Sequence, residues 1–366
     1  MRIPFVNLQA QYKSERKDLL KIIDKTLSKG SWVGGDEVDK FEENISKSCK
    51  TKYCVALNSG TDALTLSLHL LGLRKGDEVI TPPNSFVAST ATIIHLGGKP
   101  VFVDVKDDQN IDEDKIEEKI TKRTKIIMPV HLTGRMCNME KINFIAKKHN
   151  LHVVEDSAQS ILSKFKDKYS GAWGSVGCFS AHPLKNLNAM GDSGYLTTNN
   201  KYLYSKIKNL RSHGMEKNRN NIEDFGHVSR MDNIQAAILN FRFKNLKSVI
   251  KKRRSNYMLY KKYLNRKNIF FPNEKKDEFN TYHTFVVQVN LRDKLKDYLF
   301  KKGIGTAIHY PIPIHLQKAS KVLGYKKKDF PIAEKQASRI LTLPINQYLS
   351  KSEIIYISNL INNFYK

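Results

Sequence analysis

The sequence predicts an α/β fold: a mostly parallel sheet covered by helices on both faces, followed by a smaller C-terminal α+β unit. Two observations predict it. From residue 52 to residue 198, short apolar runs alternate with stretches of helical period, and the runs are apolar at nearly every position. Strands read this way when helices cover both faces of their sheet. After residue 198 the alternation gives way to longer helices and isolated strands. The 366 residues suffice for one large and one smaller domain. These are placed at 1–245 and 246–366, with the boundary inside a long helical stretch.

Residues 8–29 read as a polar amphipathic helix with Leu19, Leu20, Ile22, Ile23 and Leu27 on one side. GSWVGG (30–35) breaks it, and a second helix follows over about 37–48. KYCVAL (52–57) is a strand. SGTDALTLSLHLLGL (59–73) opens a helix at Ser59 or Thr61 and turns its leucines to a core. EVITP, after the Gly76-Asp77 turn, is a strand and 85–97 a helix; PVFVDV (100–105) is a strand and 112–121 a helix. Strand 125–132, helix 139–149 and strand HVVED (152–156) follow. Apolar runs at Val176–Phe179 and Tyr195–Thr197 flank an irregular loop. Further helices are expected over 200–212, 231–265, 291–302, 330–341 and 351–364, with a strand at 282–289.

Composition narrows the function. The formal net charge is +26, but the lysines are spread along the chain and no nucleic-acid-binding motif accompanies them, so they read as a solvated surface. No run of about twenty apolar residues marks a membrane span, and the N-terminus lacks the apolar core of a signal peptide. The four cysteines have no metal-ligand spacing and read as reduced, in a cytoplasmic protein without a metal. Neither nucleic acid nor membrane is expected as a partner.

The irregular loop, CFSAHPLKNLNAMGDSG (178–194), holds one lysine, Lys185, between two strands. A lysine there is either solvated or held for chemistry, and strand ends are where α/β folds keep their sites. SGTDAL (59–64) is a small-residue turn entering a helix. It is either an ordinary N-cap or a phosphate cradle built from the first N–H groups, at Gly60, Thr61 and Asp62. Asp156 closes an apolar strand in VVEDSAQS (153–160). Its carboxylate either caps a helix or pairs with a cation such as a protonated pyridine nitrogen, with Gln159 in reach of the same ring's phenolic oxygen. Phe86, after TPPNS, either joins the core or lies flat on a planar ring. Cradle, stacking ring, carboxylate and lysine together are what pyridoxal 5′-phosphate requires: the lysine forms a Schiff base with its aldehyde and moves the proton between carbon atoms.

With these residues in view, the chain resembles the DegT/DnrJ/EryC1/StrS family of pyridoxal-phosphate-dependent sugar-nucleotide aminotransferases, of the fold-type I (aspartate aminotransferase-like) superfamily. The resemblance runs almost end to end. It includes PFVNLQAQY, SWVGGDEVDKFE (31–42), SGTDAL, DEVITPPNSFVASTATI, GGKPVFVDV, PVHLTGR, VVEDSAQS, RSHG (211–214), SRMDNIQAAIL, HYPIPIH (309–315) and FPIAEKQASRILTLP (330–344). It implies that Lys185 is the catalytic lysine, that Asp156 pairs with the pyridinium nitrogen, that Gln159 bonds the ring oxygen and that Phe86 stacks on the ring. It implies that backbone groups of the Gly60–Asp62 turn, with the Ser180 hydroxyl, hold the phosphate. The substrate side falls to Trp32, His309 and Tyr310. A homodimer with sites at its interface, a nucleotide-sugar substrate and an amino-acid donor, glutamate, are implied as well.

Two departures stand out. GDSG (191–194) replaces the family's frequent GEGG, and the loop KNLNAMGD resembles members acting on 3-keto sugars, which implies amination at C3. Members commonly carry an asparagine, two residues before the SRM arginine, that reaches the partner's cofactor phosphate; here that place is Val228, with His227 or Ser229 as substitutes. Lysine at 185, where dehydratase relatives carry histidine, argues for transamination. Two alternatives remain: a dehydratase or an enzyme of non-nucleotide sugars on the same scaffold, and a non-catalytic binding or regulatory protein.

Overall fold

The computed structural model describes residues 2–215, 220, 222 and 224–366. Helices α1 (Leu8–Ser28) and α2 (Asp36–Cys49) lead into β1 (Tyr53–Leu57) and α3 (Gly60–Leu70). Then come β2 (Glu78–Thr81), α4 (Val87–His95), β3 (Lys99–Phe102), β4 (Thr124–Ile127), α5 (Met139–Lys148) and β5 (His152–Asp156). A short hairpin, β6 (Lys164–Phe165) and β7 (Lys168–Tyr169), precedes β8 (Val176–Ser180) and β9 (Gly194–Thr198). Helices α6 (Lys201–Leu210) and α7 (Asn233–Tyr263) follow.

One seven-stranded sheet in the order β1-β9-β8-β5-β4-β2-β3 forms the centre. All strands are parallel except β9, which runs against both β1 and β8. Its strands are apolar on both faces because both are covered: Val55, Leu57, Ile126 and Val154 join α3 and α6 in one core. On the other face Ala56, Phe179 and Tyr195 pack with α2 and α7, and Ile127 and Val153 with α5. The C-terminal ends of β1, β2, β5 and β8, and the start of β9, share one edge, where the connections of an open α/β sheet leave a crevice.

The remaining chain adds β10 (Ile269–Phe270), β11 (Glu278–Phe279), β12 (Phe285–Val289), α8 (Arg292–Lys301), α9 (Pro331–Arg339), β13 (Ile340–Leu343) and α10 (Lys351–Phe364). Strand β11 pairs with β6, while β10, β12 and β13 form a separate antiparallel sheet. A further core lies against this sheet. Tyr257 and Tyr260 of α7 and Ile3 of the N-terminus join it, whereas Leu246 and Ile250 of the same helix pack against the central sheet.

Three expected elements differ. Residues 112–121 form two single 3₁₀ turns, Glu113–Lys115 and Glu117–Lys119, instead of one helix. The segment 330–341 stops being helical at Arg339, because Ile340 to Leu343 pair with β12 as a strand. In α1 only Gln11, Leu19 and Thr26 are buried; Leu20 and Leu27 face outward. No described helix is long and apolar enough to cross a membrane.

Candidate active site

The sheet's crevice opens into a cavity of about 430 Å³ that Lys185, Asp156, Gln159, Ser180, Phe86, Gly60, Thr61, His309 and Tyr310 all help to line. Residues scattered over 250 positions of sequence therefore meet at one edge of the sheet.

Helix α3 supplies the first wall. Ser59 is its N-cap and accepts a hydrogen bond from the Asp62 N–H at 3.0 Å. The first-turn N–H groups of Gly60 and Thr61 have no helical acceptor behind them and are left to the cavity. Two glycines allow the close approach. A Cβ at Gly60 would lie 2.9 Å from Ser180 Cβ, and one at Gly194 would overlap the Ser59–Gly60 backbone. The turn thus presses against the starts of the loops after β8 and before β9, with the Ser180 hydroxyl beside it. Asp62 departs from expectation. Its N–H is taken by Ser59, its side chain lies 3.5 Å from His227 Nε2, and it is not on the cavity wall.

Strand β5 ends in Asp156, which is 5 % exposed. Ser89 Oγ donates to its Oδ2 at 2.6 Å and the Ala158 N–H to its Oδ1 at 3.2 Å. These bonds fix the carboxylate in the crevice, where it faces the cavity as well as capping the turn that follows. Gln159 Oε1 accepts from the Thr133 N–H at 2.7 Å, which leaves its amide NH₂ for Tyr310 or a ligand. Phe86 is not core: it is 56 % exposed, at the N-cap of α4, with its ring 6.1 Å from that of Tyr310.

Lys185 sits in the β8–β9 loop, and other elements hold that loop. The Lys185 N–H donates to the His182 carbonyl at 2.8 Å. Gln11 and Asn188 exchange side-chain hydrogen bonds at 3.0 and 3.1 Å, and Arg242 Nη1 donates to the Asn188 carbonyl at 2.8 Å. The ammonium makes no salt bridge among the described residues, and burial lowers its pKa to about 8 against the opposing pull of Asp156. Burial, then the Lys185 charge, lowers His309 to about 4, so it is neutral at physiological pH; its Nδ1 lies 2.9 Å from Thr342 Oγ1. Burial raises the Tyr310 phenol, and Asp156 adds to that.

Trp32 is 64 % exposed on a surface loop and lines no part of this chain's own cavity. One expectation is corrected. Ser229 is fully buried, with its hydroxyl directed at Asn58 Oδ1 at 3.3 Å, so it is not free to substitute for Val228; His227 remains exposed.

The donor set fits pyridoxal phosphate. Free N–H groups and a hydroxyl meet at the glycine-lined turn, a hydrogen-bonded carboxylate stands at the strand end, and a lysine with a lowered pKa lines the same cavity. A family model described as the DegT/DnrJ/EryC1/StrS aminotransferase family matches residues 13–362. The chain belongs to this family. Pyridoxal phosphate is the family's cofactor, and the fold is that of the fold-type I aminotransferases. A dTDP-3-amino-3,6-dideoxy-α-D-galactopyranose transaminase from Aneurinibacillus thermoaerophilus is 39 % identical over 363 residues, covering 99 % of each chain. A pleiotropic regulatory protein from Geobacillus stearothermophilus is 35 % identical over 370 residues, covering 100 % of this chain and 99 % of its own. The crystal structure of Streptomyces venezuelae DesV with a ketimine intermediate superposes with a TM-score of 0.97 at 33 % identity, covering 100 % of this chain and 99 % of that one.

Several site residues were missed from sequence: Ser89, which holds Asp156, and the lining residues His182, Arg253, His283, Thr284 and Asn346. Ser89 had a usable signal, a hydroxyl in the first turn of the helix that begins after Phe86. His182 lies in the lysine loop itself, and the others come from α7 and the C-terminal unit, where nothing local marks them.

Proposed function

We propose that this aminotransferase moves an amino group from an amino acid, glutamate, to the keto group of a nucleotide-linked deoxysugar, at C3. The observation that carries the reading is the convergence of Lys185, Asp156 and the α3 turn on one cavity. The names of relatives, 3-amino-sugar transaminases among them, support the substrate class and ring position. The name of the regulatory relative favours a non-catalytic role, but a buried carboxylate and a lysine of lowered pKa are costly to keep without chemistry.

Pyridoxal phosphate supplies an aldehyde and an electron-accepting ring; the chain's residues do the rest. Lys185 Nζ, with its pKa near 8, is in part unprotonated at neutral pH and so takes a proton from carbon and returns it. Asp156 would keep a proton on the pyridine nitrogen. The Gly60 and Thr61 N–H groups and the Ser180 hydroxyl bind the phosphate. Phe86 would cover one ring face, and Gln159 would orient the phenolic oxygen. His309 and Tyr310 lie on the sugar side.

We propose a homodimer as well. Trp32, Phe225 and Val228 are exposed apolar residues, the kind of surface a partner covers, and Trp32 reaches the partner's site in that arrangement. Division into domains at about 245 belongs to the same proposal, supported by the two cores that α7 joins. Four free, buried cysteines support a reducing, cytoplasmic location.

The test is the visible absorption of the purified protein before and after glutamate. A violet-region band that disappears with glutamate and returns with a nucleotide-linked 3-keto sugar is expected. A protein that takes up no pyridoxal phosphate would refute the reading.

A further inference from the structure

One wall of the cavity holds polar atoms that nothing in the chain satisfies. Arg253, midway along α7, is 6 % exposed and carries a buried guanidinium. Its Nη1 donates to the Tyr282 and His283 carbonyls at 3.2 and 3.0 Å, and its Nη2 to Gln347 Oε1 at 3.4 Å. Its Nε has no partner, and no carboxylate of the described residues pairs with it. Beside it, Thr284 Oγ1 and His283 Nδ1 are also buried without a partner. All three side chains line the cavity that holds Lys185.

Unmatched buried polar atoms destabilise the folded chain, and a buried cation without a counter-ion does so more strongly. Three such side chains on one wall of an active-site cavity indicate that a ligand completes them. The electrostatics select its sign. Burial, and after it the charges of Lys185 and Arg253, depress the pKa of His283, while Asp156 and Asp192 are the carboxylates on the cavity wall. Asp156 is already engaged by Ser89. The phosphate-binding N–H groups belong to α3, so this cationic wall is a second anion position. One guanidinium, one hydroxyl and one imidazole suit two oxygens, those of a carboxylate, better than a diphosphate.

We propose that the Arg253–His283–Thr284 wall is a carboxylate subsite and that the carboxylate it receives is the amino donor's. The proposal rests on the aminotransferase reading for the donor's identity, although not for the subsite's chemistry. A keto-sugar bearing a carboxylate offers the same group, so the experiment separates the two sources.

Glutarate, an unreactive dicarboxylate, is titrated into the holoenzyme and followed by thermal shift, for wild type, Arg253→Met and Thr284→Val. Wild type is expected to be stabilised, and the apparent Kd to rise about ten- to a hundredfold in Arg253→Met and severalfold in Thr284→Val. The two half-reactions are then followed separately by single-turnover absorbance. The half-saturating glutamate concentration is expected to rise with the same ratio, and more than the limiting rate falls. If the increase falls instead on a uronate-type keto-sugar, the carboxylate subsite stands and its source is corrected. Equal glutarate affinity in all three proteins would overturn the proposal, as would a loss confined to limiting rates, which marks Arg253 as a brace for the 282–283 carbonyls. Should Arg253→Met not fold, Thr284→Val and wild type decide the matter by the same titration. A wild type that discriminates glutarate but transfers no amino group would refute the function and leave the subsite.

Discussion

Replacing Lys185 by methionine should stabilise the cofactor-free protein at neutral pH. Methionine keeps most of the side chain's length and volume and removes only the charge. The lysine ammonium sits in the cavity with its pKa lowered from 10.5 to about 8. At about 1.36 kcal/mol per pKa unit, holding that proton in the folded state costs about 3 kcal/mol. Solvent in the open cavity screens part of this, which leaves about 1–3 kcal/mol. The folded chain releases the proton near pH 8 and the unfolded chain near 10.5. Between those values the unfolded chain binds more protons, so the lysine's penalty fades as pH rises. Urea unfolding of cofactor-free wild type and Lys185→Met at pH 7 and again above pH 10 measures the difference, and the comparison cancels every other titrating group. The variant should be more stable at pH 7 and nearly equal to wild type at the higher pH. A variant less stable than wild type at pH 7, or a gap unchanged by pH, would refute the account of Lys185 as a desolvated cation.

Other consequences are sharper on function than on stability. Asp156→Asn removes the group that keeps a proton on the pyridine nitrogen, and turnover should fall by at least about a hundredfold with the cofactor still bound; stopped-flow kinetics with glutamate checks it. Gly194→Ala drives a methyl group into the Ser59–Gly60 backbone, so pyridoxal phosphate affinity should drop by about tenfold or more, read by dialysis and fluorescence. Arg242→Ala frees the Asn188 and Ala189 carbonyls and Glu15; amide exchange in residues 182–190 should speed up while the central strands stay protected. Because His309 is neutral above about pH 5, His309→Asn should leave the shape of the rate profile between pH 6 and 9 unchanged even where it lowers the rate.

The parts of the site that announced themselves in the sequence are those in which backbone and side chain share one local cause. Ser59 to Asp62 is a cap and a helix start; Asp156 ends an apolar strand; Lys185 stands in a loop between two strands. Where the cause lies elsewhere in the chain, the reading failed. Asp62 carries no local sign of which surface it faces, and the structure turns its side chain toward His227 and away from the cavity. Arg253 looks like one of a run of basic residues on an exposed helix, and only the approach of Tyr282, His283 and Gln347 to α7 encloses it. The same holds for the fold. Alternating strands and helices showed the parallel sheet, but β9 runs against its neighbours because of a loop whose path no periodicity describes. Ile340 to Leu343 continue an amphipathic pattern in sequence and become a strand because β12 offers them an edge.

Helix α7 measures distances within the site. Gln235, near its start, accepts the Met190 N–H at 2.8 Å; Arg242 grips Asn188; Arg253 stands in the far wall. Eighteen residues separate the first of these from the last, about 27 Å along a rod that rises ~1.5 Å per residue. The lysine loop and the opposite wall are therefore spaced by a rigid ruler and not by two loops adjusting independently. Adding one residue between 242 and 253 would swing Arg253 about 100° around the helix axis and push everything beyond it outward. Side chains on that ruler are free to vary, whereas its length is not, and divergence in this chain is expected to accumulate as substitutions along α7 and never as insertions within it.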